Sequence, residues 1–290
     1  MRGRGSTRSL IQKRDDMKQK KLNWVLAAIL VIICGAMVFT SCSSNDDNPV
    51  VDNGLAEKIV GKWIHTDTDG EAVTTDMKSV YTFTKDGSAL KGFYSMSMTG
   101  SGVWAFNQET DVAISGNNVT LTSQLADGVT SVVELTNVTV SGDDLRFTAK
   151  TTLSKDGQVT ATYGPRQEHF TKTEADYTKT VIGLWDIYFT SDDPEHESLE
   201  PYREEYRADG TCSFYDLIDG LWVEEETDYS EYFADGPLFC FRWQKTDAGI
   251  DRRENWEIVS YENGQMVSKA LHRRADGTTY TVTAHLTKVE

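Results

Sequence analysis

Two histidines stand in matching surroundings, His169 in His169-Phe-Thr-Lys-Thr-Glu174 and His285 in His285-Leu-Thr-Lys-Val-Glu290. An imidazole can hold a metal or move a proton near neutral pH. Neither histidine has a partner at a recognisable metal-ligand spacing, so each reads as a functional group or as a strand histidine beside the last turn of a unit. Carboxylates cluster twice, at Asp192, Asp193, Glu195, Glu197 and Glu200, and again at Glu224, Glu225, Glu226 and Asp228. Oxygen-rich loops can take Ca²⁺, but no EF-hand order is present, and solvated acidic loops are the plainer reading. Aromatics are in excess in the same half of the chain. Trp222 and Tyr229 lie in the loop-rich stretch 219–236, where they could line a mouth, stack on a sugar or pack at a rim. There is no Gly-rich phosphate loop, no Gly-x-Ser-x-Gly elbow and no His-Glu-x-x-His. The chain is therefore expected to be non-enzymatic, with no catalytic residue, metal or cofactor.

The elements that must carry these residues come in two copies. Ile59-Val60-Gly61-Lys62-Trp63 returns as Val181-Ile182-Gly183-Leu184-Trp185. Tyr81-Thr-Phe-Thr-Lys-Asp86-Gly87 aligns with Glu204-Glu-Tyr-Arg-Ala-Asp209-Gly210, and the histidine segments close each unit. Three matches in one order predict an internal duplication, with units over 55–175 and 176–290. Within each unit, alternating or β-branched runs are separated by Asp-Gly and Asn-Gly turns, and no sustained 3.6-residue period appears. The expected fold class is all-β: two tandem antiparallel barrels or sandwiches.

Gly61-Lys62-Trp63 and Gly183-Leu184-Trp185, each at the head of an up-and-down β unit, resemble the opening of the lipocalins and the wider calycin group. The resemblance implies a tryptophan on the first strand that plugs the closed end of a barrel. Lipocalins set an arginine across it; here the nearest equivalents are Lys172 and Lys288. The resemblance also implies a cavity for a small apolar or amphipathic ligand.

The N-terminal segment reads as an address. Lys18-Gln-Lys-Lys21 precedes the uncharged run Trp24–Phe39, followed by Thr40, Ser41 and Cys42. A basic start, an apolar run and small residues at the cut make a signal peptide, and 16 residues are short for a membrane span. The segment covers 1–41, with Met17 a second candidate start. Phe39-Thr40-Ser41-Cys42 resembles the lipobox of bacterial lipoproteins, in which the cysteine becomes the acylated first residue. Asp46-Asp47 in the tether 42–54 resembles the export signal by which some gram-negative bacteria send lipoproteins to the cell surface. The resemblance implies an outer-membrane lipoprotein, with Cys42 tying it to the bilayer through acyl chains.

Charge narrows the partners. The chain has 29 basic and 45 acidic residues; without residues 1–41, which carry 8 and 2, it keeps 21 and 43, a net charge of −22. Such a charge repels nucleic acid at long range. Beyond Cys34 and Cys42, the cysteines are Cys212 and Cys240. Export permits a disulfide between them. The phase of Phe239, Phe241 and Trp243 turns Cys240 outward, and that of Phe214 turns Cys212 inward, which favours two free thiols. The functional expectation is a lipoprotein binding a small apolar or amphipathic ligand. The alternative is an adhesive module recognising glycan or protein through the aromatic and acidic loops of the second unit.

Overall fold

The structure is a computed structural model that describes residues 54–87, 89–98, 103–125, 128–246, 249 and 251–290. Cys42, the signal segment and nearly all of the tether lie outside the described residues. Val50–Glu290 forms one compact unit, built from two curled antiparallel sheets. No helix among the described residues is long and apolar enough to cross a membrane.

The first sheet follows a one-turn helix α1 (Leu55–Lys58) and contains β1 (Gly61–Thr68), β2 (Glu71–Ala72), β3 (Ser79–Asp86), β4 (Ala89–Ser97), β5 (Trp104–Ser115), β6 (Asn118–Gln124), β7 (Val129–Ser141), β8 (Asp144–Lys155) and β9 (Gln158–Thr173). Each strand from β3 onward pairs with its sequence neighbour, and β9 returns to β1, so eight strands close into a barrel. The second sheet contains β10 (Gly183–Ser191), β11 (Ser198–Tyr206), β12 (Cys212–Ile218), β13 (Leu221–Glu224), β14 (Thr227–Asp235), β15 (Leu238–Lys245), β16 (Asp251–Glu262), β17 (Gln265–Arg273) and β18 (Thr279–Lys288). Its order is β13-β12-β11-β10-β18-β17-β16-β15-β14. Its edge strands β13 and β14 do not pair with each other; across the gap, Thr211 and Glu231 form an isolated bridge, and the sheet is a half-barrel.

Sequence alternation explains which residues face inward. Along a strand, successive side chains take opposite faces. Trp63 on β1 points into the first core, while Ile64 points out. On β15, Phe239 and Phe241 point into the second core, while Leu238 and Cys240 point out. Hairpin chemistry fits the turns: Asn263 and Gly264 both hold positive φ (50° and 78°) between β16 and β17, as a two-residue type I′ turn requires.

The outward residues weld the two sheets together. Ile64, Val80, Phe233, Leu238 and Cys240 form a third buried cluster, with Trp104 packed against it. Around it, Asp235 accepts from Lys62 and from Ser95 Oγ at 2.6 Å. Asn255 Nδ2 donates to the Ser97 carbonyl at 2.6 Å, and Leu271 N donates to Thr75 Oγ1 at 2.7 Å. Buried polar groups left unpaired cost about 1–3 kcal/mol each, so these matched pairs hold one docking geometry. The contact covers the outer face of β14–β16 and leaves the β12–β13 hairpin exposed.

Candidate functional site

The repeated motifs build the same device in each sheet. The Trp63 indole N–H donates to the Ile59 carbonyl at 2.7 Å, and that of Trp185 to the Val181 carbonyl at 2.8 Å. Both rings are fully buried. Lys172 Nζ lies 5.9 Å above the Trp63 ring, and Lys288 Nζ lies 5.3 Å above that of Trp185. Gly61 and Gly183 share φ 138°, and a Cβ at either would sit 2.8 Å from the lysine Cε that crosses it. The backbone conformation favours glycine there, and a Cβ would push the crossing lysine aside. These four motif residues are structural.

The other sequence candidates separate. His169 faces away from the first core, its ring nitrogens 2.7 Å from Asp67 Oδ2 and 2.6 Å from Asp144 Oδ1. His285 instead stacks on Tyr188, with centroids 4.6 Å apart, and contacts Thr190 Oγ1 at 3.0 Å. Equivalent sequence positions thus hold different contacts. The acidic groups do not converge: Asp193 pairs with Arg274 at 2.5 Å and Glu225 with Lys245 at 2.6 Å. No group of three potential metal ligands occurs among the described residues. The Arg274 guanidinium and the Glu195 backbone N–H hold the Asp193 carboxyl below its ordinary range. Trp222 and Tyr229, on the edge strands, are not bare platforms. The Arg203 guanidinium covers Trp222 at 4.3 Å, and Tyr229 donates to Asp251 at 2.7 Å with Arg242 5.6 Å from its ring.

The disulfide that export would permit is not formed. Cys212 and Cys240 are both free and buried. Cys212 belongs to the second core and Cys240 to the cluster between the sheets, so they occupy opposite faces of one sheet and cannot bridge without moving backbone. Burial pushes the Cys212 thiol up to about 12 and that of Cys240 well above its usual range. Neither is a reactive thiolate.

The interior of the half-barrel holds an arrangement of another kind. On β11, inward alternation brings Tyr202, Glu204 and Tyr206 into the core. Glu204 is 4% exposed. The Tyr206 hydroxyl donates to it, and no basic side chain pairs with it among the described residues. Across the axis, Ser268 on β17 is 1% exposed, and its Oγ is buried with no hydrogen-bond partner. Both line a small central cavity with Phe189, Phe241, Trp256 and Ala284. Its volume is about 10 Å³, room for one water-sized group. Burial first, and then the Glu254 carboxylate, raise the Glu204 carboxyl well above its ordinary range. Glu254 shares the inward phase of Trp256 but is exposed, so carboxylates run from solvent to the interior.

Comparison with known proteins adds little. No family model matches the chain, and no curated protein does. A solved structure of a protein of unknown function, from the DUF3598 family of Nostoc punctiforme, aligns over 81% of this chain and 97% of its own at 10% identity, with a TM-score of 0.19. So faint a likeness carries no argument, and the site has to be read from its own chemistry.

The sequence does not single out Tyr206, Trp256, Glu204 or Ser268 as site residues. A signal was present. The duplication aligns Glu204 with Tyr81 of the first unit, and Tyr81 lies in the first barrel's interior against Phe83 and Phe170. A charged residue at an inward position where the sister unit carries an aromatic marks a candidate site. In the first barrel the inward carboxylate is Glu168, bonded to His65 Nε2 at 2.7 Å and to Thr68 Oγ1 at 2.6 Å. The second unit has Ile187 and Ala284 at the positions of His65 and Glu168.

Proposed function

We propose that this chain is a lipid-anchored envelope protein of lipocalin-like build, whose half-barrel binds a small amphipathic molecule with its polar head inward. The observation that carries the reading is the Glu204–Ser268 cavity, polar groups buried at the centre of an apolar interior. Buried polar atoms normally have partners, and an unpartnered hydroxyl facing a cavity supports an absent occupant. The cavity's ~10 Å³ is far below the ~300–1,000 Å³ of a pocket that encloses a ligand. The bound molecule therefore inserts only its head, and its body lies toward the mouth, along Tyr202 and Trp243. Capture of a large apolar ligand deep inside either barrel fits this packing poorly. The anchor is Cys42, with the first barrel as a spacer. Native mass spectrometry of the full chain, extracted from its own envelope without denaturant, should find a discrete added mass; a clean unliganded mass contradicts the reading. Cys42→Ala should release the protein into the soluble fraction, and unchanged membrane fractionation would contradict the anchor.

A second reading rests on a different observation. The β12–β13 hairpin exposes Ile218, Leu221 and Val223 on one face, with Leu221 at 70%, and Leu217 on the other. Asp216, Asp219, Glu224 and Glu226 surround them. An apolar patch rimmed by one sign of charge suits a protein surface with an apolar centre and basic rim. A photo-crosslinker at position 221 in the intact envelope should give one discrete adduct that Ile218→Asp abolishes; no adduct, or one that survives Ile218→Asp, contradicts this second site.

A further inference from the structure

We infer that the head group taken by the half-barrel is a primary ammonium, accepted by Glu204 and Ser268 beside Trp256 and Phe241. This rests on the half-barrel being a ligand site, and it names the chemistry that site selects.

The two barrels supply the first argument. Each turns a carboxylate inward, half-buried at Glu168 and fully buried at Glu204. In the first barrel, Glu168 receives the His65 ring N–H and the Thr68 hydroxyl, so a nitrogen donor comes from the chain itself. In the second, position 187 is isoleucine and the carboxylate has moved to Glu204 on β11. Its donor there is the Tyr206 hydroxyl, a neutral group. The nitrogen donor that the first barrel builds in is missing from the second, and a ligand cation completes the same pair.

The second argument is the independent orphan. Ser268 Oγ is buried, unpartnered and on the cavity wall. An R–NH₃⁺ group has three donors and no acceptor, which matches two oxygen acceptors on opposite walls. The remaining wall is apolar, with Phe189, Phe241 and Trp256 beside Ile187, Ala284 and Leu286, and π faces attract cations. A carboxylate head brings no N–H or O–H for the Ser268 oxygen, a neutral hydroxyl brings one donor for two acceptors, and a quaternary ammonium has no donor and is too large for ~10 Å³.

The third argument is access. Glu254 stands exposed on the same inward phase, and its carboxylate is felt at Glu204. Arg252 shares that phase too, and the net charge of −22 after residue 41 favours cations over anions for the chain as a whole.

Binding is coupled to a proton. Burial first, and then the Glu254 carboxylate, raise the Glu204 carboxyl well above its ordinary range and favour its protonated form. The titratable groups facing it are Tyr202 and Tyr206 on β11, Cys212 on β12 and Glu254 on β16. The walls from β10, β15, β17 and β18 are uncharged. When R–NH₃⁺ enters, the Glu204 proton leaves to solvent, and the carboxylate accepts an N–H in its place. Affinity therefore rises with pH until Glu204 is ionised in the free protein.

The test is calorimetric titration of the full chain in detergent with n-butylammonium, n-butanol, n-butyrate and tetramethylammonium across pH 5–9. Butylammonium should bind at least about tenfold more tightly than the other three, since charge-assisted hydrogen bonds are the strong ones, and increasingly so with rising pH. Glu204→Gln should weaken it about 10- to 100-fold and flatten the pH profile. Ser268→Ala, a far milder change, should weaken it severalfold and keep the profile. Butanol or butyrate binding as well as butylammonium overturns the ammonium assignment and leaves the half-barrel a ligand site. Butylammonium binding that ignores Glu204→Gln overturns the location. No binding by any probe, together with a clean unliganded native mass, removes both readings.

Discussion

The two units share a plan and differ in what they seal. The first closes its ladder from β9 to β1 and pairs its inner carboxylate, Glu168, with a histidine and a threonine. The second leaves its ladder open and keeps Glu204 beside a tyrosine, an unpartnered serine and a cavity. The shared parts, Gly61 with Trp63 and Gly183 with Trp185, have nearly the same geometry to a few tenths of an ångström in either copy. The Gly-x-Trp motif thus keeps one geometry in both units while their interiors differ. Each core keeps an unpartnered buried polar atom, His65 Nδ1 in the first and Ser268 Oγ in the second; only the second sets its own on a cavity shared with a carboxylate.

The largest effect expected is on the shared part. Trp63→Ala and Trp185→Ala should each cost about 3–5 kcal/mol, read by denaturant unfolding, because each ring is fully buried with its N–H satisfied. Equal losses would sharpen the structural equivalence, and a cost at one site only would break it. Next comes the weld. Asp235→Ala strips Lys62 and Ser95 of their acceptor and should cost about 1–3 kcal/mol; it should also begin to separate the unfolding of the two halves, seen as a broadened transition. An unchanged midpoint would mean that this contact is not structural.

Smaller again is the difference between the two carboxylates. Glu204 binds its proton more tightly folded than unfolded, so its contribution is full below the unfolded value near 4.5 and is lost as pH rises toward the higher folded value. Glu204→Gln should therefore leave stability unchanged near pH 4 and raise it near pH 8. In the first barrel, His65→Leu should instead destabilise by about 1–3 kcal/mol, because Glu168 loses its ring donor. Opposite signs at pH 8 are the contrast; the same sign would erase it. Least of all, Leu221→Lys on the exposed hairpin should stay within about 0.5 kcal/mol of wild type.

Much of this architecture was legible in order and spacing. The motifs ending in Trp63 and Trp185, the turn at Asn263-Gly264 and the matching closes at His169 and His285 gave an all-β pair of repeats. Strand phase also turned Cys212 and Cys240 to opposite faces. Closure was not legible, because it depends on contacts between segments distant in sequence: β1 pairs with β9 in the first sheet, and only the Thr211–Glu231 bridge spans the gap in the second. The surroundings of Trp222 and Tyr229 were not legible: Arg203 and Arg242 lie beside them, and sequence does not show a stacked guanidinium. Glu204 was hidden because alternation alone assigns inward positions to apolar residues. It emerges only when the repeat sets it against Tyr81.

The most direct test is native mass spectrometry of the full chain from its own envelope, comparing wild type with Glu204→Gln and His65→Leu. The account predicts a discrete added mass on wild type, retained in His65→Leu and absent from Glu204→Gln. An unliganded wild type, or an equal adduct on Glu204→Gln, would contradict it.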